Sequence, residues 1–360
     1  MKIAVIPPHK KHDAVASVIV EGLYDLKIEF AASDSGNGIK EENVKSDSEF
    51  IEYAKNADFI FVLWGKGPDP TWSRSSHLKH PKYHLLDSIK RPDVTVYIDG
   101  SEWTATGHPE KYDMIKTDFS SGREIPAQVA DSKLDTSRCK GKPWINEEMR
   151  KKCQWYFKRE CYPEDTQLGI IPLNVGCSKK FFGDHEKWYK EKPIDIFCSF
   201  GQKYTGLRYE VEEVCKRLKE EGYNVKIISG QKIPHDEYLN TISMSKISVS
   251  AWGAGNSCMR MWESMANASC CFAQRTEILF PNKPEDGFHY VEYSTIEEFE
   301  KKIRSYIDNE YLCREIGKRG QHFVSNVHIG AARLLYILQV INAGEKAAIW
   351  YNLPDSEDKE

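Results

Sequence analysis

The chain has 360 residues, of which 40% are hydrophobic and 29% charged, and this composition is typical of a globular protein with more than one hydrophobic core. Its formal net charge of −4 gives no reason to expect nucleic acid or an acidic membrane as the main partner. No apolar run reaches the length of a membrane span, and the N-terminus leads directly into a strand pattern. We therefore expect two domains, no membrane span, no signal peptide and a cytoplasmic location.

The ten cysteines are scattered along the chain. They form no C-x-x-C pair and no His/Cys cluster at the spacing that zinc sites use. We therefore predict free thiols, with no disulfide and no metal site.

The first half of the chain alternates apolar strands with helices. Predicted strands are Lys2–Pro7, Asp58–Trp64 and Asp93–Ile98, and a helical spacing of apolar residues runs over Ala14–Leu26. Strands that are apolar throughout, rather than alternating, are typical of a parallel sheet covered by helices on both faces. This pattern predicts a doubly wound, Rossmann-like first domain.

Ligands of such sheets bind outside the carboxyl ends of the strands. Three loops of the first half hold that position, namely Pro7–Asp13, Trp64–Asp69 and Asp99–Trp103. The candidate side chains in these loops are His9, His12, Asp99 and Glu102. Each has a simpler interpretation as a solvated loop residue or a helix cap. Asp99 and Glu102 together are the strongest pair, because both follow the end of one strand.

Residues 120–148 are polar and poorly periodic, which predicts a long irregular excursion. After it comes the segment Tyr156-Phe-Lys-Arg-Glu160. We expect Lys158 and Arg159 to be exposed, with a position facing a donor phosphate as the alternative. Ser178–Lys192 lacks a sustained pattern and is predicted to be a linker.

The second half begins with a strand at Ile194–Ser199 and a helix over Arg208–Glu221. Lys203 lies in the intervening loop, and Arg208 lies in the first turn of the helix. A cation is unfavourable at that end of a helix dipole, so Arg208 favours anion binding over simple exposure. The next predicted strand is Tyr223–Ser229, followed by Gly230 and a short helix that contains Tyr238.

The stretch from Ser250 to Ala266 combines a strand end, a glycine-bearing turn and a helix. Such a turn exposes backbone N–H groups at the positive end of the helix dipole, and this geometry suits a phosphate. Asn256 or Ser257 is the predicted helix cap. Arg260 and Glu263 lie one turn apart on the same helix face. The alternative for these two residues is a simple ion pair.

Arg260-Met-Trp-Glu-Ser-Met-Ala266 resembles the Arg-x-x-Glu-x-x-Ala helix of GT-B glycosyltransferases, particularly the CgeB/YkvP-like glycosyltransferase family 1 group. The resemblance extends from about Asp195 to Arg333 and includes the spacing of His328 and Arg333. It implies an α/β fold of the GT-B type, with two Rossmann-like doubly wound domains facing across a cleft. The expected divisions are an acceptor-side domain at 1–177, a linker at 178–192, a nucleotide-sugar-binding domain at 193–330, bracing C-terminal helices at 331–353 and an acidic tail at 354–360.

The resemblance further implies a metal-independent glycosyltransferase of the hexosyltransferase type. It would move a sugar from a nucleoside-diphosphate-sugar to a carbohydrate or another hydroxyl acceptor, with no cofactor. The implied donor-binding residues are Glu263, Arg260, Gly255, Asn256, Ser257, Cys258, Ser229, Gly230, Tyr238 and Gly201. The implied catalytic residues are Arg208, Lys203, Asp99 and Glu102, with His9 and His12 on the acceptor side.

One departure from the family pattern lies at Gly255. Retaining enzymes of this kind carry two glutamates, at the positions of Gly255 and Glu263, and only the second is present here. Glu263 is expected to hold the ribose hydroxyls. Both an inverting route, with a first-domain carboxylate or histidine as general base, and a retaining route stay open. A nucleotide-sugar epimerase and a catalytically degenerate binding module are the alternative functions.

Overall fold

Two parallel β-sheets organise the chain, one built from its first half and the other from its second half. The computed structural model describes residues 1–8, 13–64, 82–100, 146–183, 192–201, 207–230, 233–253 and 256–343.

The first sheet has six parallel strands in the order β2-β1-β3-β4-β5-β6. They are β1 Lys2–Ile6, β2 Glu29–Ala32, β3 Phe59–Trp64, β4 Thr95–Asp99, β5 Trp155–Lys158 and β6 Ile170–Pro172. The helices are α1 Ala14–Asp25, α2 Asp47–Lys55, α3 His84–Ile89, α4 Glu147–Lys152 and α5 Pro163–Thr166. Successive residues of β3 enter cores on opposite faces, with Phe61 in one and Ile60 in the other. The strand is therefore apolar throughout.

The second sheet has five parallel strands in the order β11-β10-β9-β7-β8. They are β7 Ile194–Phe200, β8 Val225–Ser229, β9 Ser245–Ser250, β10 Cys270–Gln274 and β11 Val291–Tyr293. The helices are α6 Arg208–Glu220, α7 His235–Ser243, α8 Met259–Ala266, α9 Ile296–Ile307, α10 Glu310–Phe323 and α11 Gly330–Ala343. The predicted class, α/β with two doubly wound parallel sheets, is confirmed. Strands β2, β5 and β6 are additions that the sequence pattern did not single out.

The chain crosses between the two sheets at two places that lie side by side. The amide of Cys177 donates to the carbonyl oxygen of His328 at 2.7 Å, and Cys177 pairs with Ile329 in a parallel bridge. The buried His328 ring stacks on Trp262 of α8 with 4.1 Å between ring centroids, and burial lowers the pKa of His328 well below its usual value. His328 is therefore a neutral, packed part of the junction between the domains.

Helix α11 returns to the first domain and packs against α1. The approach is close because glycines meet there: a Cβ added to Gly22 would lie 2.4 Å from the carbonyl oxygen of Gly330. A Cβ added to Gly330 would lie 2.5 Å from the carbonyl oxygen of Val18. The last helix thus braces the first domain through backbone-to-backbone contact. The part of the expected bracing helices beyond Ala343 lies outside the described residues.

Replacing Gly22 by alanine is expected to lower the free energy of unfolding by roughly 1–3 kcal/mol, because the helices must separate to relieve the overlap. The overlap with backbone atoms is expected to outweigh the gain of about 1 kcal/mol that alanine otherwise offers inside a helix. Urea denaturation followed by circular dichroism measures the difference. Lys301→Ala, on the exposed face of α9, is the control and should leave the midpoint unchanged. An unchanged midpoint for Gly22→Ala would contradict the close packing.

Candidate functional site

The carboxyl ends of β7, β8 and β9 bring together most of the polar residues predicted in the second domain. Phe200 ends β7, Ser229 ends β8 and Ser250 ends β9. The next helix after each strand adds its own side chains to this edge of the sheet. Because β7 lies between the other two strands, their ends are neighbours in space.

Two arginines lie against one aromatic ring at this edge. The guanidinium carbons of Arg208 and Arg260 lie 5.3 Å and 5.2 Å from the centroid of Phe200. Arg208 is only 6% exposed, so the alternative of a solvent-exposed residue is wrong. Burial lowers the pKa of Arg208, and the charge of Arg260 lowers it further, while the nearby Cys258 thiol opposes the shift. The two guanidinium groups therefore place positive charge close together, against the hydrophobic ring of Phe200.

Arg260 has hydrogen-bond donors available for an anion. Its Nε and Nη1 atoms are buried and have no hydrogen-bond partner among the described residues. The alternative of an Arg260–Glu263 ion pair is present only as a charge interaction, in which Arg260 lowers the pKa of Glu263 and Glu263 raises that of Arg260; no direct contact within 4 Å joins them among the described residues. Buried guanidinium donors without acceptors are costly, and a bound phosphate would supply those acceptors.

Glu263 points to Tyr238 rather than to Arg260. The Tyr238 hydroxyl donates to Glu263 Oε2 at 2.9 Å, and Glu263 is 9% exposed. Burial raises the pKa of Glu263, while the charge of Arg260 and the Tyr238 hydrogen bond offset part of the shift. Among the described residues, Oε1 accepts no hydrogen bond. This carboxylate therefore has one oxygen oriented by tyrosine and a second oxygen able to accept from a hydroxyl group.

The turn before α8 differs from its predicted form. Cys258, rather than Asn256 or Ser257, is the N-cap residue, and its side chain makes no capping hydrogen bond. The amides of Asn256 and Ser257 donate to the two carboxylate oxygens of Glu160, each at 2.9 Å, and the amide of Cys258 donates to the Asn256 carbonyl at 3.1 Å. A first-domain carboxylate thus occupies two of the three amides that the sequence assigns to a phosphate.

The charged residues at and after the end of β5 are buried. Lys158, Arg159 and Glu160 are 2%, 3% and 0% exposed, so the expectation that Lys158 and Arg159 are exposed is wrong. Lys158 forms a buried ion pair with Asp165 at 2.9 Å, and Arg159 donates to the carbonyl oxygen of Ser257. The sequence signal that could have found this contact is the run of charged residues at the end of β5. The parallel sheet places that strand end next to the second domain.

Ser229, Gly230 and Gly201 lie at the same edge. The Ser229 hydroxyl donates to Glu212, a buried residue one turn after Arg208 on α6. Gly230 has φ +69°, and its amide donates to the Phe200 carbonyl at 3.0 Å. A Cβ added to Gly201 would meet no atom within 4 Å. The ends of β7 and β8 therefore have small residues beside the arginines.

Of the candidate residues predicted in the strand-end loops of the first domain, Asp99 lies within the described part of the chain. It is fully buried, and Tyr156 donates to its Oδ2 at 2.8 Å. Asp99 and Lys158 are also opposite each other in the register of β4 and β5. Burial and this hydrogen bond fix the carboxylate at the carboxyl edge of the first sheet. The remaining predicted residues lie outside the described part of the chain: His9, His12, Glu102, Lys203 and Gly255.

Neither a metal site nor a membrane span is found among the described residues. No group of three or more His, Cys, Asp or Glu side chains in these ranges is placed to hold a metal ion. No helix within them has the length and hydropathy required to cross a bilayer.

A protein family described as glycosyl transferase-like matches residues 185–339 of the chain. An α-glucosyltransferase in complex with UDP-glucose and DNA containing an abasic site is similar in structure: it is 9% identical, the match covers 95% of this chain and 99% of that one, and the TM-score is 0.54. HepE from Anabaena in complex with UDP is 10% identical, with 96% and 100% coverage and a TM-score of 0.47. No curated protein matches the sequence significantly. The likeness to the α-glucosyltransferase and the two parallel sheets show the GT-B fold.

Proposed function

We propose that the protein is a metal-independent glycosyltransferase that moves a sugar from a nucleoside-diphosphate-sugar to an acceptor hydroxyl. The observation that carries this proposal is the cluster of Arg208 and Arg260 on Phe200, next to the Tyr238–Glu263 pair. The cluster lies within the segment that matches the glycosyl transferase-like family. The proposal extends to a hexose as the sugar, a cytoplasmic location and membership of the CgeB/YkvP-like group.

In the proposed donor complex, the diphosphate binds Arg208 and Arg260, with Lys203 as a further cation. The unpartnered Nε and Nη1 of Arg260 support this placement, since guanidinium groups bind phosphate through paired N–H donors. Glu263 accepts hydrogen bonds from the ribose hydroxyls. The ends of β7 and β8, with Gly201, Ser229 and Gly230, receive the base and sugar, and small residues there allow close approach.

In the proposed reaction, the acceptor oxygen forms a bond to the anomeric carbon, and the bond from that carbon to the phosphate oxygen breaks. The electron pair leaves with the nucleoside diphosphate, where the two guanidinium groups stabilise the developing negative charge. The acceptor proton passes either to a first-domain base, with Asp99, Glu102 and His9 as candidates, or to the departing phosphate oxygen. The first route inverts the anomeric centre and the second retains it.

A thermal-shift screen tests the proposed donor class. UDP, GDP, ADP and dTDP, their sugars and the matching monophosphates are added with EDTA present. A nucleoside diphosphate is expected to stabilise the protein by about 2.7 kcal/mol at one hundred times its dissociation constant, raising the melting temperature by several degrees. The monophosphate is the matched control and should shift it less, because it lacks one phosphate for the arginines. No shift with any diphosphate would overturn the proposal.

A further inference from the structure

Helix α8 carries Arg260 and Glu263, yet it begins without a cap of its own. Its N-cap residue, Cys258, makes no side-chain capping hydrogen bond, and its first turn contains no acidic residue. The first N–H groups of a helix have no partner within it, and its N-terminus attracts negative charge. The conformation of this helix start therefore depends on groups from elsewhere in the chain.

Glu160 of the first domain holds the turn that leads into this helix start. Its carboxylate is fully buried, and its two oxygens accept separate hydrogen bonds from the amides of Asn256 and Ser257, each at 2.9 Å. Both amides directly precede the N-cap residue. A carboxylate at this place satisfies two buried donors and lies near the positive end of α8.

The neighbours of Glu160 hold the same turn from both sides. Arg159 donates to the Ser257 carbonyl, and the Asn256 side chain donates to the Tyr162 hydroxyl at 2.5 Å. The amide of Leu279 donates to the Cys161 carbonyl at 2.7 Å, which extends the contact beyond the turn. Four consecutive first-domain residues thus contact the second domain, and Glu160 is the one that binds two amides at once.

We infer that Glu160 is a positioning residue of the donor site. It holds the turn before α8 in one conformation, and the rigid first turn of the helix passes this restraint to Arg260 against Phe200 and to Glu263 against Tyr238. The inference rests on the proposed function for its ligand, a nucleoside diphosphate. By this inference, a residue of the first domain directly restrains the donor-binding helix of the second domain.

Glu160→Gln tests this role, because glutamine keeps the shape but offers one acceptor oxygen and turns an NH2 group towards the second amide. The matched control is Glu298→Gln. Glu298 also accepts from a backbone amide before a helix, that of Ser294 at 2.7 Å, but it does so at α9, away from the arginines. The measurements are the dissociation constant of the diphosphate selected by the screen, by calorimetry, and hydrogen exchange in peptides that cover 256–261.

Glu160→Gln is expected to raise the dissociation constant at least tenfold and to speed exchange across 256–261. Glu298→Gln should leave both at their wild-type values. Glu160→Asp keeps the charge but is shorter by one methylene, so it should give an intermediate constant. Circular dichroism identifies any variant that fails to fold, and Glu160→Asp then serves as the test variant.

Two results would overturn the inference while leaving the proposed function intact. An unchanged dissociation constant in Glu160→Gln would make Glu160 a purely structural contact. Tighter binding would mean that the carboxylate competes with the phosphate for the two amides. If the wild-type protein binds none of the diphosphates, the proposed function fails on its own. Hydrogen exchange then decides the positioning role, and unchanged exchange across 256–261 in Glu160→Gln overturns it.

Discussion

Glu263→Ala is expected to weaken binding of the nucleoside diphosphate on the order of 100-fold while the protein stays folded. The carboxylate has one oxygen held by Tyr238 at 2.9 Å and the other available to a ligand hydroxyl. A hydrogen bond to a charged group contributes about 1.5–3 kcal/mol, so one ribose hydroxyl on the available oxygen accounts for a loss of this size. Calorimetric titration of the diphosphate into each variant measures the effect.

Stability distinguishes a binding role of Glu263 from a structural one. Removing the carboxylate takes the hydrogen-bond acceptor from the Tyr238 hydroxyl, so the free energy of unfolding should fall by about 1–3 kcal/mol while the protein stays folded. Glu292→Ala is the control: Glu292 is a mostly buried carboxylate of the same domain that accepts from Tyr290, at the edge strand β11. Wild-type affinity in Glu263→Ala would end the ribose assignment.

Arg208→Ala is expected to lower turnover by about 10²- to 10³-fold, the usual effect of removing one donor aimed at developing charge. The guanidinium lies on Phe200 and is desolvated there, so its positive charge acts strongly on a departing diphosphate. Release of nucleoside diphosphate from the donor that the thermal-shift screen identifies gives the rate. Arg208→Lys keeps the charge without the planar, stacked geometry and should recover only part of it.

Arg217→Ala on the same helix is the control for Arg208→Ala. Arg217 is exposed and pairs with Glu300 at 2.6 Å on the outer side of α6, where ion pairs contribute little to stability. Its removal should leave turnover unchanged. If the two arginine variants lose the same fraction of activity, the role assigned to Arg208 in stabilising the leaving group is wrong.

Several features of the site were predictable from local patterns. The run Phe59–Trp64 is apolar throughout because both faces of its sheet are covered, and this single property indicates a parallel, doubly wound domain. Arg208 in a helix first turn was recognised as unfavourable to the helix dipole, and the structure places it buried on Phe200. Arg260 and Glu263 share a helix face at their spacing, as expected.

Other features had no local signal. Cysteine is not a residue type that caps helices well, and the turn before Cys258 is instead held by Glu160 of the first domain. Lys158 and Arg159 are expected to be exposed because charged side chains usually are, yet both are buried, Lys158 with the nearby Asp165 and Arg159 with Ser257 of the other domain. Tyr238 is among the predicted donor-binding residues, and the sequence gives no sign that its hydroxyl donates to Glu263.

The sequence by itself determined the class of the protein: two sheets of parallel strands, with polar and basic residues at the strand ends. It did so because strand burial and helix periodicity are properties of neighbouring residues. Only the tertiary structure decided that Glu160 binds the amides of Asn256 and Ser257, across 96 and 97 positions of the chain. A contact of this kind depends on how the two domains pack against each other. The desolvation of its charged groups depends on all the residues packed around them.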